Sequence, residues 1–271
     1  MQIDVRPPAV AGTFYPGEPA ALEREVARLV PRIEATHSLL ACVAPHAGYV
    51  YSGGVAGRVF AHLEVPRRVV VLGPNHTGRG AAVSVAPHSA WATPQGEVPV
   101  DRDLADRLLE TVGGAEADHR AHGREHSLEV MLPFLLVRRP DVTVLPVCLA
   151  HLSKADCRRL GTALARIIRD AGEPVGIVAS SDMSHYEPDA VTRERDRLAI
   201  DAMLALDPDG LYDTVHAHGI TMCGVVPAAV ALVAALDLGA TGAHLVDYAT
   251  SGDVSGDRSA VVGYAGICIH A

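Results

Sequence analysis

No uninterrupted apolar stretch in this 271-residue chain reaches the roughly 20 residues that a membrane-spanning helix needs. The opening MQIDVRPPAVAG also lacks the basic-then-apolar order of a secretory signal, so a cytoplasmic protein with no membrane partner is expected. The cysteines, Cys42, Cys148, Cys157, Cys223 and Cys268, are odd in number and form no CxxC pair, which argues against a disulfide framework and a structural zinc knuckle. No basic run offsets the net charge of −9, and nucleic acid is not expected as a partner. There is no GxSxG elbow, no Walker phosphate loop and no GxGxxG after a strand. The signatures of serine hydrolases, nucleotide hydrolases and dinucleotide enzymes are therefore missing.

What is present is the make-up of a soluble globular chain, 49% hydrophobic and 20% charged, at a length that one α/β domain can fill. Short, continuous apolar runs at residues 39–44, 67–73, 142–150 and 174–181 read as buried strands. Segments of helical period separate them, at 53–63, 101–112, 152–172, about 188–206 and 209–216, with an alanine-rich buried helix before Gly239. Strands alternating with helices predict a single α/β domain over 1–271, with a central, mostly parallel sheet flanked by helices. Antiparallel additions are expected where strands follow each other directly, as in GAHLVDYATS and RSAVVGYAGICIH, and as an edge hairpin of AAVSVAP with the stretch around Trp91. RPPAVAGTFYPGEP is an irregular arm leading into a first helix, and the helical segment REHSLEVMLPFLLVRR should kink at Pro133.

His46 and His76 each follow a buried strand at once, and Asp182 and His185 follow another. In open α/β sheets ligands bind beyond the carboxyl ends of the strands, so these side chains can converge, although each could also be a locally bonded turn residue. Cys223 lies in a turn before the long helix that contains Pro227, where unpaired amides should lower a thiol pKa. Unless Cys223 is simply structural, it completes with His46 and His76 a two-histidine, one-thiolate donor set suited to iron, copper or zinc. Asp182 either orients His185 for proton transfer or accepts backbone amides in a turn. His126 and Glu129, spaced i, i+3, would share a helix face, unless Ser127 caps that helix. The remaining histidines, among them His62, His119, His122, His216 and His218, read as solvated or locally bonded, and Cys42, Cys148 and Cys268 as core.

RPPAVAGTFYP, APHAGYVYSG, VLGPNHTG, EHSLEVMLPFL, SSDMSHY, ITMCG with Pro227, and DYATSGDVSGD followed by VVGYAG, taken in order, resemble the Memo family, also described as protein B of the AmmeMemoRadiSam system. The resemblance covers nearly the whole chain. It implies a fold like that of the class III extradiol dioxygenases, with His46, His76 and Cys223 at the metal-binding positions and His185 beside the metal. His185 and His126 resemble the further histidines that serve those dioxygenases as acid, base or substrate contact, while Cys223 stands where they have a carboxylate. The implied function is an iron- or copper-dependent redox or oxygenase-like enzyme acting on a small molecule. The alternatives are a non-catalytic metal- or peptide-binding protein and, less favoured, a zinc-dependent hydrolase. A pathway link to a radical-SAM protein and an AMMECR1-like protein is also implied.

Overall fold

The computed structural model describes residues 4–271. Its main sheet contains, in chain order, β1 (Ala41–Ala44), β2 (Arg68–Pro74), β3 (Val83–Val85), β4 (Ala115–Ala117), β5 (Thr143–Leu149), β6 (Val175–Ser180), β7 (His185–Glu187), β8 (Gly242–Thr250) and β9 (Val261–His270). β1, β6, β2 and β5 lie side by side and parallel, while β9 and β3 flank them antiparallel. β8 extends the sheet beyond β9, β7 pairs with the start of β9, and β4 runs beside β3. The sheet is thus parallel at its centre and antiparallel towards its flanks, the mixed α/β architecture expected.

Apolar residues fill most positions of the central strands, with Arg68, Thr143 and Ser180 at strand ends, because both faces are covered by helices. Ala41, Val43, Val70, Leu72, Ile177 and Ala179 face one apolar cluster, and Cys42, Ala44, Val69, Val71 and Val178 face the other, as the period of two along a strand requires. α1 (Pro19–Leu29), α2 (Tyr49–His62) and α4 (Leu132–Arg138) pack on the second face; α3 (Arg102–Thr111), α5 (Lys154–Arg169), α6 (Asp189–Leu204), α7 (Pro208–Ala217) and α8 (Val225–Asp237) contribute to the first. α8 is apolar on nearly all sides because it is covered by the sheet, α5 and α7 together. Among the described residues no helix is long and apolar enough to cross a membrane.

Three local expectations need correction. The hairpin around Trp91 joins Ala90–Thr93 to Gly96–Pro99 in a small separate sheet with Val5–Arg6, whereas Val83–Val85 joins the main sheet beside β5. Pro133 does not kink a helix: residues Glu129–Met131 form a 3-10 turn and Pro133 lies in the first turn of α4, where its missing N–H has no intrahelical partner to lose. The first crossover helix starts at Tyr49, earlier than the glycine pair implied, because the Tyr49 N–H is held by the Phe14 carbonyl of the N-terminal arm at 2.7 Å.

Candidate metal centre

The register of the parallel strands decides which residues meet. Ser180 pairs with Ala44, and Ala179 with Leu72, so β1, β6 and β2 end at nearly the same level of one sheet edge. His46, Asp182 and His76 each stand two residues beyond those ends. Cys223 reaches the same place from the turn before α8, held against the end of β6 by a Gly224 N–H bond to Ser181 Oγ of 3.0 Å. Only glycine fits at 224, since a Cβ there would lie 2.4 Å from Ser181 Cβ and 2.5 Å from the Ser180 carbonyl oxygen. His46 Nε2 is 3.2 Å from Cys223 Sγ, and one donor atom from each of His46, His76 and Cys223 lies within 4.8 Å of the others. The three could hold a metal ion.

The hydrogen bonds around the imidazoles set which nitrogen faces the site. Ser180 Oγ donates its single proton to the Ser127 carbonyl at 2.6 Å, so at His46 Nδ1, 2.7 Å away, it must accept. That places the His46 proton on Nδ1 and leaves the Nε2 lone pair towards Cys223. At His76, Nδ1 lies 2.8 Å from Glu125 Oε1, and since an ionised carboxylate only accepts, Nε2 is again the nitrogen left for a ligand. Burial opposes ionisation of Glu125, but the His76 bond and charge, with the Ser127 N–H, outweigh it and bring its pKa down to about 2. Burial, reinforced by His76, His126 and His185, holds His46 well below the usual histidine range, so its imidazole stays neutral. Both features suit a metal ligand supported by hydrogen bonds from behind.

Cys223 departs from expectation. Its thiol is pushed up, not down, because burial and the nearby Asp182 carboxyl outweigh the Asp182 N–H that reaches Sγ at 3.3 Å. The amides at the start of α8 do not supply the anion stabilisation that the turn's position suggested, and only a bound cation would favour the thiolate here.

Asp182 does not orient His185. Its Oδ1 accepts the backbone N–H of His46 at 2.7 Å and of Ala47 at 3.3 Å, so it fixes the turn that carries His46. Burial raises its pKa to about 7 against those two bonds. His185 is held instead by Thr221, whose carbonyl lies 2.9 Å from Nδ1. His126 stacks on His76 with ring centroids 4.6 Å apart and lies 5.4 Å from the His46 ring. It is in a loop rather than on a helix, and Ser127 is no cap: its hydroxyl donates to the Pro74 carbonyl. Glu129 is elsewhere. It is fully buried beneath the N-terminal arm, accepting from Arg6 Nη1, the Ala9 and Val10 N–H groups and Tyr15 OH.

Sequence reasoning missed Glu125, Ser180, Thr221 and Phe14, whose ring lies 4.7 Å from that of His126. Glu125 neighbours a flagged histidine and carried a signal; Ser180, inside an apolar strand, carried none. His122 was misjudged, being fully buried with Nε2 against the Ser84 carbonyl, whereas His62 and His216 are bonded within their own helices as expected.

Comparison with known proteins agrees with this arrangement of motifs. A family model described as Memo-like protein matches residues 6–268. A MEMO1 family protein of Methanosarcina barkeri is 43% identical over 268 residues, covering 98% of this chain and all of that protein. Another, from Aquifex aeolicus, is 43% identical over 266 residues, covering 97% and 98%. A solved structure of an uncharacterized protein from Escherichia coli K12 shares the fold with a TM-score of 0.52 at 16% identity, over 85% of this chain and 99% of that one. On the family match and on this identity across almost its full length, the chain belongs to the Memo-like protein family.

Proposed function

We propose that this protein is an iron- or copper-dependent redox enzyme of oxygenase-like type, its ion held by His46 Nε2, His76 Nε2 and Cys223 Sγ. The observation that carries the proposal is that both imidazoles are committed through Nδ1 to Ser180 and Glu125, leaving Nε2 of each for an ion beside a half-buried thiol. The donor set fits. When bound, iron or copper supplies one-electron chemistry and Lewis acidity. The protein's own part is proton handling and positioning. Asp182, with a pKa near neutrality, can hold or release a proton while keeping His46 in place. His185 donates Nδ1–H to Thr221 and keeps Nε2 free to accept a proton, and His126 offers a ring face beside His76 for a small-molecule substrate.

The likeness to class III extradiol dioxygenases belongs to this proposal, as do a cytoplasmic location and a shared pathway with a radical-SAM protein and an AMMECR1-like protein. The competing reading, a metal- or peptide-binding protein without catalysis, is favoured by the thiol that stands where those dioxygenases use a carboxylate. A zinc-dependent hydrolase is a third. The test is metal content of protein purified without oxygen, then oxygen consumption with catechol-like candidates. One iron or copper per chain with oxygen uptake supports the proposal, and His185→Ala should then keep the metal and change the uptake. Stoichiometric metal with no oxygen uptake supports the binding reading, and zinc alone with hydrolytic turnover supports the third.

A further inference from the structure

At the opposite edge of the sheet three more imidazoles meet. His37 lies in the two-residue strand that precedes β1, His244 near the start of β8 and His270 at the end of β9. Ile269 pairs with Ala41, the first residue of β1, so this cluster sits by the amino end of the strand whose carboxyl end leads to His46. The rings of His37 and His270 are stacked with centroids 4.6 Å apart, and His244 is 5.2 Å from the first and 5.8 Å from the second. One ring nitrogen from each lies within 4.8 Å of the others. All three side chains are half-buried.

We propose that His37, His244 and His270 form a second metal site, for a zinc-class divalent ion such as Zn(II), Ni(II) or Co(II), which ties the segment before β1 to the last two strands. Tetrahedral coordination at about 2.0–2.1 Å places ligand nitrogens about 3.3–3.4 Å apart. The rings need to close by about 1.5 Å at most to meet that geometry, which small rotations of half-exposed side chains supply. Three imidazoles in mutual contact repel one another when protonated. Neutral imidazole is the form that binds these ions. The backbone also makes room for the cluster. Gly242 pairs with His270 across the β8–β9 ladder, and a Cβ there would come within 2.7 Å of His270 Cε1 and 3.0 Å of Nε2. His37 and His270 further line a cleft of about 590 Å³, which leaves space for water or a small ligand at a fourth position.

The test uses the full chain carrying His46→Ala and Cys223→Ser, which removes the first donor set, so that failure of one site cannot be mistaken for failure of the other. Co(II) is titrated with its visible absorption and with equilibrium dialysis, and thermal unfolding is followed with and without excess Zn(II). The expected result is one ion per chain with a tetrahedral cobalt spectrum and a rise in Tm. His37→Ala, His244→Ala or His270→Ala should each weaken binding at least tenfold and abolish the rise. If an alanine variant does not fold, the glutamine variant at the same position replaces it. His119→Ala, which removes the separate Asp4, His88 and His119 group, should change nothing. The proposal is overturned if the doubly substituted chain binds no Co(II), if the cluster variants bind as it does, or if His119→Ala is the change that removes the ion.

Discussion

Glu129→Ala is the perturbation whose consequence follows most completely from the structure. Arg6 is 1% exposed and Glu129 is fully buried, with 2.6 Å between Nη1 and Oε2. The guanidinium has other partners, namely the carbonyls of Pro7, His122 and Glu125 and the face of Trp91 at 4.0 Å, but among the described residues no other buried carboxylate is bonded to it. Breaking a buried ion pair from one side costs about 3–5 kcal/mol, because the remaining charge stays out of water. The Ala9 and Val10 N–H groups and Tyr15 OH also lose their acceptor, but the arm is exposed at Ala9 and water can replace the carboxylate there, so their losses should not be added in full. At about 2–4 °C per kcal/mol for a domain approaching this size, Tm should fall by about 6–20 °C. The assay is urea and thermal unfolding of the parent and variant, with Arg6→Met/Glu129→Leu as the paired change. The double variant should lose less than Glu129→Ala, since no charge is left buried. A loss below about 1 kcal/mol for Glu129→Ala would refute the reasoning, because it would mean that the pair is solvated or dispensable. The consequence extends to the candidate metal centre, since Phe14 on the same arm touches His126 and its carbonyl starts α2.

Ser180→Ala should weaken metal binding at His46 by about 10- to 100-fold, because Nδ1 loses its acceptor and the tautomer is no longer fixed; unchanged affinity in a chelator competition would contradict the tautomer assignment. Gly224→Ala should lower both stability and metal affinity, since its Cβ cannot enter without moving the Cys223 turn away from β6; a variant with parental Tm and affinity would show that the turn has slack. Asp189 has its pKa lowered to about 2, by Arg193 first and then by Thr250 and Arg258. Because its folded pKa is depressed, its contribution to stability is full above the ordinary aspartate value of about 3.9 and is lost as pH falls through about 2. Asp189→Asn should therefore be less stable than the parent at neutral pH and approach it towards pH 2 in urea midpoints, and a constant gap between the two would count against this.

The parallel centre of the sheet was legible because strands buried on both faces read as unbroken apolar runs, and a histidine just past such a run falls at a sheet edge wherever the register is even. His46 and His76 meet for that reason. Cys223 was legible as a turn cysteine, but its thiol environment was not, because its pKa is raised by burial in the folded chain and then by the carboxyl of Asp182, far away in the sequence. Glu129 shows the limit of periodicity: its spacing from His126 suggested a shared helix face, yet a loop and a 3-10 turn send the two side chains to different places, one beside His46 and His76 and one beneath the arm. Ser180 was invisible because its role depends on a carbonyl of a distant loop.

The central claim is that Cys223 and the two histidines bind one ion together, and Co(II) substitution under anaerobic conditions tests it most directly. Thiolate bound to cobalt produces an intense near-ultraviolet charge-transfer band, whereas cobalt held by imidazoles alone does not. His37→Ala removes the second cluster, and the thiolate band distinguishes the first site from the Asp4, His88 and His119 group. The account predicts that this protein takes up one Co(II) with that band, and that Cys223→Ser in the same background loses the band and most of the affinity. Equal affinity with no charge-transfer band in either protein would contradict it, and would leave Cys223 as a structural residue of the turn before α8.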